Sequence, residues 1–467
     1  MNSMILVMAL SVGQGPGGAA PVTPGSPFPA VRVQGTGGPP LVLPGLIPMA
    51  IPGQPGMPPM VVPMPPSTGN GTTPAAPGAP AAEEAPKADK QDEEKKPDTP
   101  EPPIYLLERS LKDTWLGKTM ADHNLKLYGW SAMSYTLSTT SNSNLPVTFN
   151  DQPNKYQLNQ NWIQFDKTID PTKGEFQWGF ATSTILPGTD ARFTLARGLF
   201  DQQLREGRNG GPRDYPIDLY QAYFQAFLPN LGGNGTTVKV GRFSTHCGYE
   251  LVQAVDTPFV SRSYLFQYNP FTHTGIWAVT QLNDTWSVGN GVALGSDNFI
   301  DSANRLTGLG QIKWAPPDGK TSVIFNTVVT RPRFDVAENF AFYNVYNLQV
   351  VHKCTDKLTY VVDAAFSHMD GVPNVGSATW YGAANYFIYK VTDKLTSTLR
   401  TELFHDTKGI RTGFKGLYTE VTYGVAWSPV PGVIIRPNIR FDHNNQSRAF
   451  EGDRSMLTGA LEMIFRW

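Results

Sequence analysis

The sequence predicts an all-β chain: a transmembrane antiparallel β-barrel of about 16 strands, preceded by a disordered Pro/Gly-rich segment and a short helix. Three observations carry this. From Leu125 onward apolar residues recur at every second position, the period of a strand with one apolar face. Sixteen such segments begin near 125, 156, 175, 217, 236, 273, 285, 305, 320, 342, 357, 378, 394, 417, 432 and 456. Each is about ten residues long, which is what a tilted strand needs to cross a bilayer. The connections between them alternate between short turns and long polar loops, the order of a membrane barrel with two unlike rims.

The start of the chain reads differently. Of 40 prolines, 24 fall in residues 1–103, while the first tryptophan is Trp115. Residues 4–12 are an apolar run of signal-peptide length, followed by small residues that place a cut near Gln14. No Lys or Arg precedes the run, so residues 1–13 form an incomplete signal peptide. Residues 14–103 are Pro/Gly/Ala-rich and then mixed-charge, a tether without the apolar content to build a core. Export would place this tether in the periplasm. The barrel unit then spans 104–467. It opens on a short helix over 104–118, where Leu107, Leu111 and Trp115 are spaced by four and so share one face.

Net charge is −1, and the body carries 33 basic and 31 acidic side chains, which excludes a strong field for nucleic acid. Beyond residue 12 no apolar run approaches the ~18–20 residues of a membrane helix. Cys247 and Cys354 offer neither a disulfide framework nor a zinc spacing. The strand order puts them on opposite rims, too far apart for a bridge.

The strands show their faces directly. Phe176, Trp178 and Phe180 oppose Gln177, Gly179 and Ala181; Val433, Ile435, Ile439 and Phe441 oppose Arg436, Asn438, Arg440 and Asp442. Short turns fall at 170–174, 229–235, 282–284, 316–319, 354–356, 392–393 and 429–432. Long loops fall near 138–155, 186–215, 247–271, 296–304, 332–341, 369–377, 406–416 and 443–455. The tetrapeptide Thr-Asp-Lys-Leu recurs at 355–358 and 392–395, one turn solution used twice, with Asp suited to the turn. The last strand alternates Leu457, Gly459, Leu461, Met463, Phe465 and Trp467, with aromatics suited to a membrane interface.

Several motifs then meet in one pattern: Val240-Gly241-Arg242-Phe243, Gly248-Tyr249-Glu250, Ser261-Arg262-Ser263-Tyr264, Pro270-Phe271-Thr272-His273-Thr274-Gly275, and Asp190-Ala191-Arg192-Phe193. As a set they resemble the putative β-barrel porin-2 (OmpL-like) family, over about 104–467. The resemblance implies a bacterial outer-membrane porin passing small hydrophilic solutes or ions by passive diffusion. It implies no catalytic residues.

Candidate site residues follow from strand parity. Asp363, Lys390, Arg400, Glu402, Glu420, Arg436, Arg440, Asp442 and Glu462 lie on or near the face opposite the apolar stripe, where a pore would hold them. Asp190, Arg192, Arg197, Asp201 and Arg205 sit in the charge-rich loop 186–215, which could fold inward as a constriction. Glu250, Arg262 and His273 cluster in sequence around the third long loop, either as a salt-bridged rim or as an anion or acid–base site. An outer-membrane enzyme would need a nucleophile–base pair, for which Ser261 or Ser263 with His273 can be drawn. A closed barrel that binds or anchors is the other alternative. No cofactor, metal or catalytic residue is expected. The expected partners are outer-membrane lipid, the barrel assembly machinery and further copies of the chain, with no nucleic acid.

Overall fold

The computed structural model describes residues 106–300, 305–334 and 341–467; the signal and tether expected over 1–103 lie outside them. Two short helices, α1 (Leu106–Leu111) and α2 (Trp115–Asp122), stand where one helix over 104–118 is expected. The break has a local cause. The Thr114 hydroxyl accepts the Gly117 N–H at 3.1 Å and donates to the Leu111 carbonyl at 2.7 Å. It therefore caps the second helix while ending the first. Trp115 is left 78% exposed.

Sixteen strands follow: β1 (Leu125–Ser138), β2 (Lys155–Lys167), β3 (Gln177–Ile185), β4 (Asp218–Leu228), β5 (Thr236–Ser244), β6 (Thr272–Gln281), β7 (Trp286–Ala293) and β8 (Thr307–Trp314). The second half is β9 (Thr321–Val329), β10 (Asn344–Lys353), β11 (Leu358–Val372), β12 (Gly376–Thr392), β13 (Leu395–Asp406), β14 (Gly416–Trp427), β15 (Val433–Asn444) and β16 (Ser455–Arg466). Every strand starts within two residues of its expected position. Each is antiparallel to both neighbours, and β1 pairs with β16 from Trp130↔Arg466 to Ser138↔Thr458. The seam is extended by Gly129 and Trp467, whose N–H and C=O groups exchange bonds of 3.1 and 3.0 Å. Closure leaves no unpaired edge, the condition for strands to cross a bilayer.

Turn chemistry explains the short rim. The Asp170 carboxylate accepts the Thr172 N–H at 3.1 Å, and Gly174 takes a left-handed φ of +64°. In the repeated tetrapeptide Asp356 and Asp393 lie in the turns and Leu358 and Leu395 open the strands, as expected, and the capping atom is the threonine hydroxyl. Thr355 Oγ1 accepts the Lys357 and Leu358 N–H groups at 3.2 and 3.0 Å, and Thr392 Oγ1 the Lys394 N–H at 3.2 Å. The long loop expected at 369–377 is corrected: β11 and β12 run on through it and leave only 373–375 between them. Gly371, Asn374 and Gly376 take φ of +68°, +61° and +80°, the left-handed positions that a tight turn needs.

Parity sorts the two surfaces. Outward residues include exposed leucines, valines and isoleucines along the strands. Trp178, Trp286, Trp427 and Phe465 stand exposed near the short turns, and Tyr135, Tyr156, Tyr346 and Phe441 near the long loops. Two aromatic girdles flanking an apolar band are what a membrane barrel presents to its two interfaces. No helix among the described residues is long and apolar enough to cross a membrane.

Candidate functional site

The loop that enters the lumen is residues 245–271, between β5 and β6. It follows another inserted piece, α3 (Ala191–Thr194) in the β3–β4 loop, and it carries α4 (Tyr264–Tyr268), all five of whose residues are buried. Aromatic packing fixes the helix. Tyr264 lies 4.8 Å from the Tyr418 ring, Tyr268 lies 5.4 Å from Phe404, and the Trp380 indole N–H donates to the Tyr268 carbonyl at 3.0 Å.

The inward charges of β13–β16 hold this loop. Arg400 Nη1 pairs with Glu250 Oε1 at 2.5 Å, Nε with Glu420 Oε2 at 3.1 Å, and Nη1 also donates to the Ser261 carbonyl at 3.0 Å. The Glu402 carboxylate accepts the Tyr264 and Leu265 N–H groups at 2.6 and 2.7 Å. Asp442 accepts the Tyr264 hydroxyl at 2.7 Å and two bonds from Arg440, whose remaining Nη1 donates to the Arg262 carbonyl at 2.6 Å. Arg436 bridges Glu462 and the Thr257 carbonyl. A loop inside a barrel has backbone groups that no sheet satisfies, and charged wall side chains meet that demand with strong, directional bonds.

The opposite wall uses amides. Gln311 donates to Asn326, Asn326 to Asn347, and Asn347 to Asp363, at 2.9, 2.9 and 2.6 Å. The loop docks here through Gly248 N–H to Asn347 and Tyr249 N–H to Asp363, both 3.0 Å. On the β1–β2 side Gln160 donates to the Val252 carbonyl at 2.7 Å and accepts the Ala254 N–H at 3.1 Å. The loop is thus fastened to three sides of the lumen. Asn326, Asn347, Gln311 and Gln160 were not singled out from sequence. Their signal is a polar amide at an inward position of a strand rich in Val, Phe or Leu, as at Asn326 between Phe325 and Thr327.

The expected site residues distribute as follows. Asp363, Arg400, Glu402, Glu420, Arg436, Arg440, Asp442 and Glu462 all face inward, and each is at most 2% exposed because the loop covers it. Lys390 is exposed at the short-turn rim, 2.7 Å from Asp393. Glu250 joins Arg400, and Arg262 caps the loop's own carbonyls at Leu251, Val252, Phe259 and Val260. His273 lies apart from both, bonded to Thr245 at 2.8 Å and to the Gly295 carbonyl at 3.0 Å. Neither Ser261, beside Arg400, nor Ser263, on Glu250, bonds to His273.

In the β3–β4 loop, Asp190 is buried against Gln160 at 2.8 Å, and Arg192 pairs with Asp151 at 2.7 Å near the mouth. Burial pushes the Asp190 carboxyl up to about 7, although Arg262 and the amides of Gln160 and Asn159 pull it down. Arg197, Asp201 and Arg205 sit in a segment away from the lumen. Arg197 pairs with Asn298, and Leu199 and Phe299 line one cavity together with outward-facing Phe180, Phe224 and Val240. Cys247 is buried, Cys354 is exposed, and both are free. Among the described residues no group of His, Cys, Asp and Glu could hold a metal.

Residues 124–467 match the family described as putative beta-barrel porin-2, OmpL-like. The chain is also similar to an anion-selective porin from Comamonas acidovorans, at 11% identity and a TM-score of 0.50, covering 73% of this chain and 99% of that one. The outer membrane channel DcaP of Acinetobacter baumannii aligns at 10% identity and a TM-score of 0.48, covering 73% of this chain and 97% of that one. OmpT of Vibrio cholerae, in a trimer form, aligns at 10% identity and a TM-score of 0.47, covering 73% and 99%. At such identities the likeness is one of fold. No curated protein matches the chain.

Proposed function

The chain belongs to the putative β-barrel porin-2, OmpL-like family, and from that premise we propose that this outer-membrane porin passes small hydrophilic solutes and ions by passive diffusion, without chemistry of its own. The observation that carries the reading is the polarity of the closed barrel, with apolar residues and aromatic girdles outward and a polar, charged wall inward. Short turns and long loops orient such a barrel with the turns toward the periplasm. The composition of residues 14–103 supports a periplasmic tether, exposed once residues 1–13 are removed. The alternating last strand supports handling by the barrel assembly machinery.

A second reading, a closed barrel that binds or anchors, is favoured by one observation: α4 and the wall around it are buried. Recordings of the purified protein in planar bilayers separate the two. Discrete conductance steps support the porin, and a silent barrel of native fold refutes it.

Assembly with further copies belongs to the same proposal. Across β6–β9 the outward residues Ala278, Asn290, Gly310 and Thr327 sit in one paired row. Asn290 is exposed within it. An amide facing hydrocarbon is costly, and small neighbours let a second barrel approach closely enough to cover it.

A further inference from the structure

We propose that the pore favours anions, and that unpaired lysines in the short-turn half of the lumen, chiefly Lys239 and Lys313, set this preference. The inference deepens the porin reading and rests on it.

Apart from Asp406 and Lys155 at the long-loop ends of β13 and β2, most inward-facing charges of the strands fall into two groups. The carboxylates Asp166, Asp363, Glu402, Glu420, Asp442 and Glu462 are all buried, and Arg400, Arg436 and Arg440 are buried with them. Apart from Asp166, whose one charged neighbour is Lys126, they are occupied with one another, with the inserted loop or with the amide ladder. Lys126, Lys239, Lys313, Lys353, Lys390 and Arg466 also face inward, and none is buried. All six lie toward the short-turn ends of their strands. Parity places the two central ones. Lys313 follows outward Ile312, and Lys239 pairs in register with inward Trp277 and lies 4.7 Å from the Tyr223 ring.

Local partners remove part of this charge. Lys390 is paired with Asp393 and Lys126 sits across from Asp166. Arg466 acts on Asp256, the exposed carboxylate that the inserted loop sends into this space. Among the described residues Lys239, Lys313 and Lys353 have no ion-pair partner. A solute that reaches this half of the lumen therefore meets fixed positive charge on β5, β8 and β10 and little exposed negative charge. Low-dielectric walls focus such a field, and a ring of Lys or Arg is how pores select anions. Lys239, beside the rings of Tyr223 and Trp277, offers a small carboxylate or phosphate ester both charge and an aromatic face.

The test is the zero-current potential of the full-length protein across a KCl gradient. The chloride-to-potassium permeability ratio should exceed 1. It should drop below 1 in K239E/K313E and rise further in D256N. The preference should shrink as salt is raised, because the screening length falls from ~10 Å at 0.1 M to ~3 Å at 1 M. D256N leaves the lysines intact and guards against a lysine variant that fails to insert. A ratio at or below 1 in the native protein overturns the inference. So does a ratio unmoved by both variants while conductance persists. Absence of any conductance overturns the porin reading, and the inference falls with it.

Discussion

Replacing Arg400 with methionine should loosen the loop that crosses the lumen. Methionine keeps most of the stem and deletes the charge. The Glu250 and Glu420 carboxylates, both fully buried, then lose their shared partner, and the Ser261 carbonyl loses a donor. Removing one member of a buried ionic cluster costs about 3–5 kcal/mol. Glu250 belongs to the loop and Glu420 to the wall. Release of the loop lets Glu250 reach water, so the cost falls on the docked state. At ~1.4 kcal/mol per tenfold, the docked-to-released ratio falls by about 10²–10⁴. In planar bilayers R400M should conduct more than the native protein and with more noise. Retained heat-modifiable mobility and β-rich circular dichroism would show that the barrel itself persists. Unchanged conductance in a folded R400M barrel would refute the claim that this contact holds the loop across the pore.

The remaining predictions concern the seam, the rims and the outer face. Gly129→Leu would put a Cβ 2.6 Å from the Trp467 ring and 2.1 Å from the Trp162 carbonyl; closure should fail, read as loss of the heat-modifiable species. A membrane-impermeant thiol reagent on intact cells should label neither cysteine, while opening the periplasm should expose Cys354 alone; whole-cell labelling of Cys354 would invert the orientation. Slight burial would raise the Glu451 carboxyl, but N–H bonds from Ser141, Asn142 and Ser143 outweigh it and hold the group below its usual range. A lowered folded pKa gives stability above the unfolded value of ~4.3 that is lost as pH falls through the folded one, so proteolysis of residues 139–154 should accelerate on acidification, and E451Q should show that rate at neutral pH. Asn290→Cys should form disulfide-linked dimers under oxidation if β6–β9 meets a second copy, whereas purely monomeric protein would remove that face from the interface.

The fold was largely legible because membrane strands obey a short-range rule. A residue's face depends on its neighbours one and two positions away, so Val433 and Arg436 declare their sides without knowledge of any partner. The turns followed for the same reason, except at β11–β12, where the strands run on through the expected loop. There the positive φ of Gly371, Asn374 and Gly376 makes a tight turn of a segment that is polar enough to read as a loop. The inserted loop was not legible. Glu250 and Arg400 are 150 positions apart, and nothing near either one announces the other. The β3–β4 loop, with its dense charge, looked the better constriction, yet the segment that crosses the lumen does so on buried tyrosines and backbone bonds.

The two kinds of inward charge should separate in experiment. Glu402, Arg436 and Arg440 spend their bonding on backbone groups of the loop: the N–H groups of Tyr264 and Leu265, and the carbonyls of Thr257 and Arg262. The two arginine charges are also neutralised within about one side-chain length, by Asp442 on Arg440 and by Glu462 on Arg436. Closely spaced opposite charges leave little field at a distance, so these residues shape the passage by holding the loop. Lys239 and Lys313 hold nothing in place, and their field reaches the solute. A wall variant such as R400M should therefore change conductance and the largest solute admitted in liposome swelling, with the sign of selectivity kept. K239E/K313E should reverse that sign while the size limit stays as it was. If R400M reversed selectivity at constant conductance, the buried wall would be acting on ions directly, and the division between fastening charges and field-setting charges would be wrong.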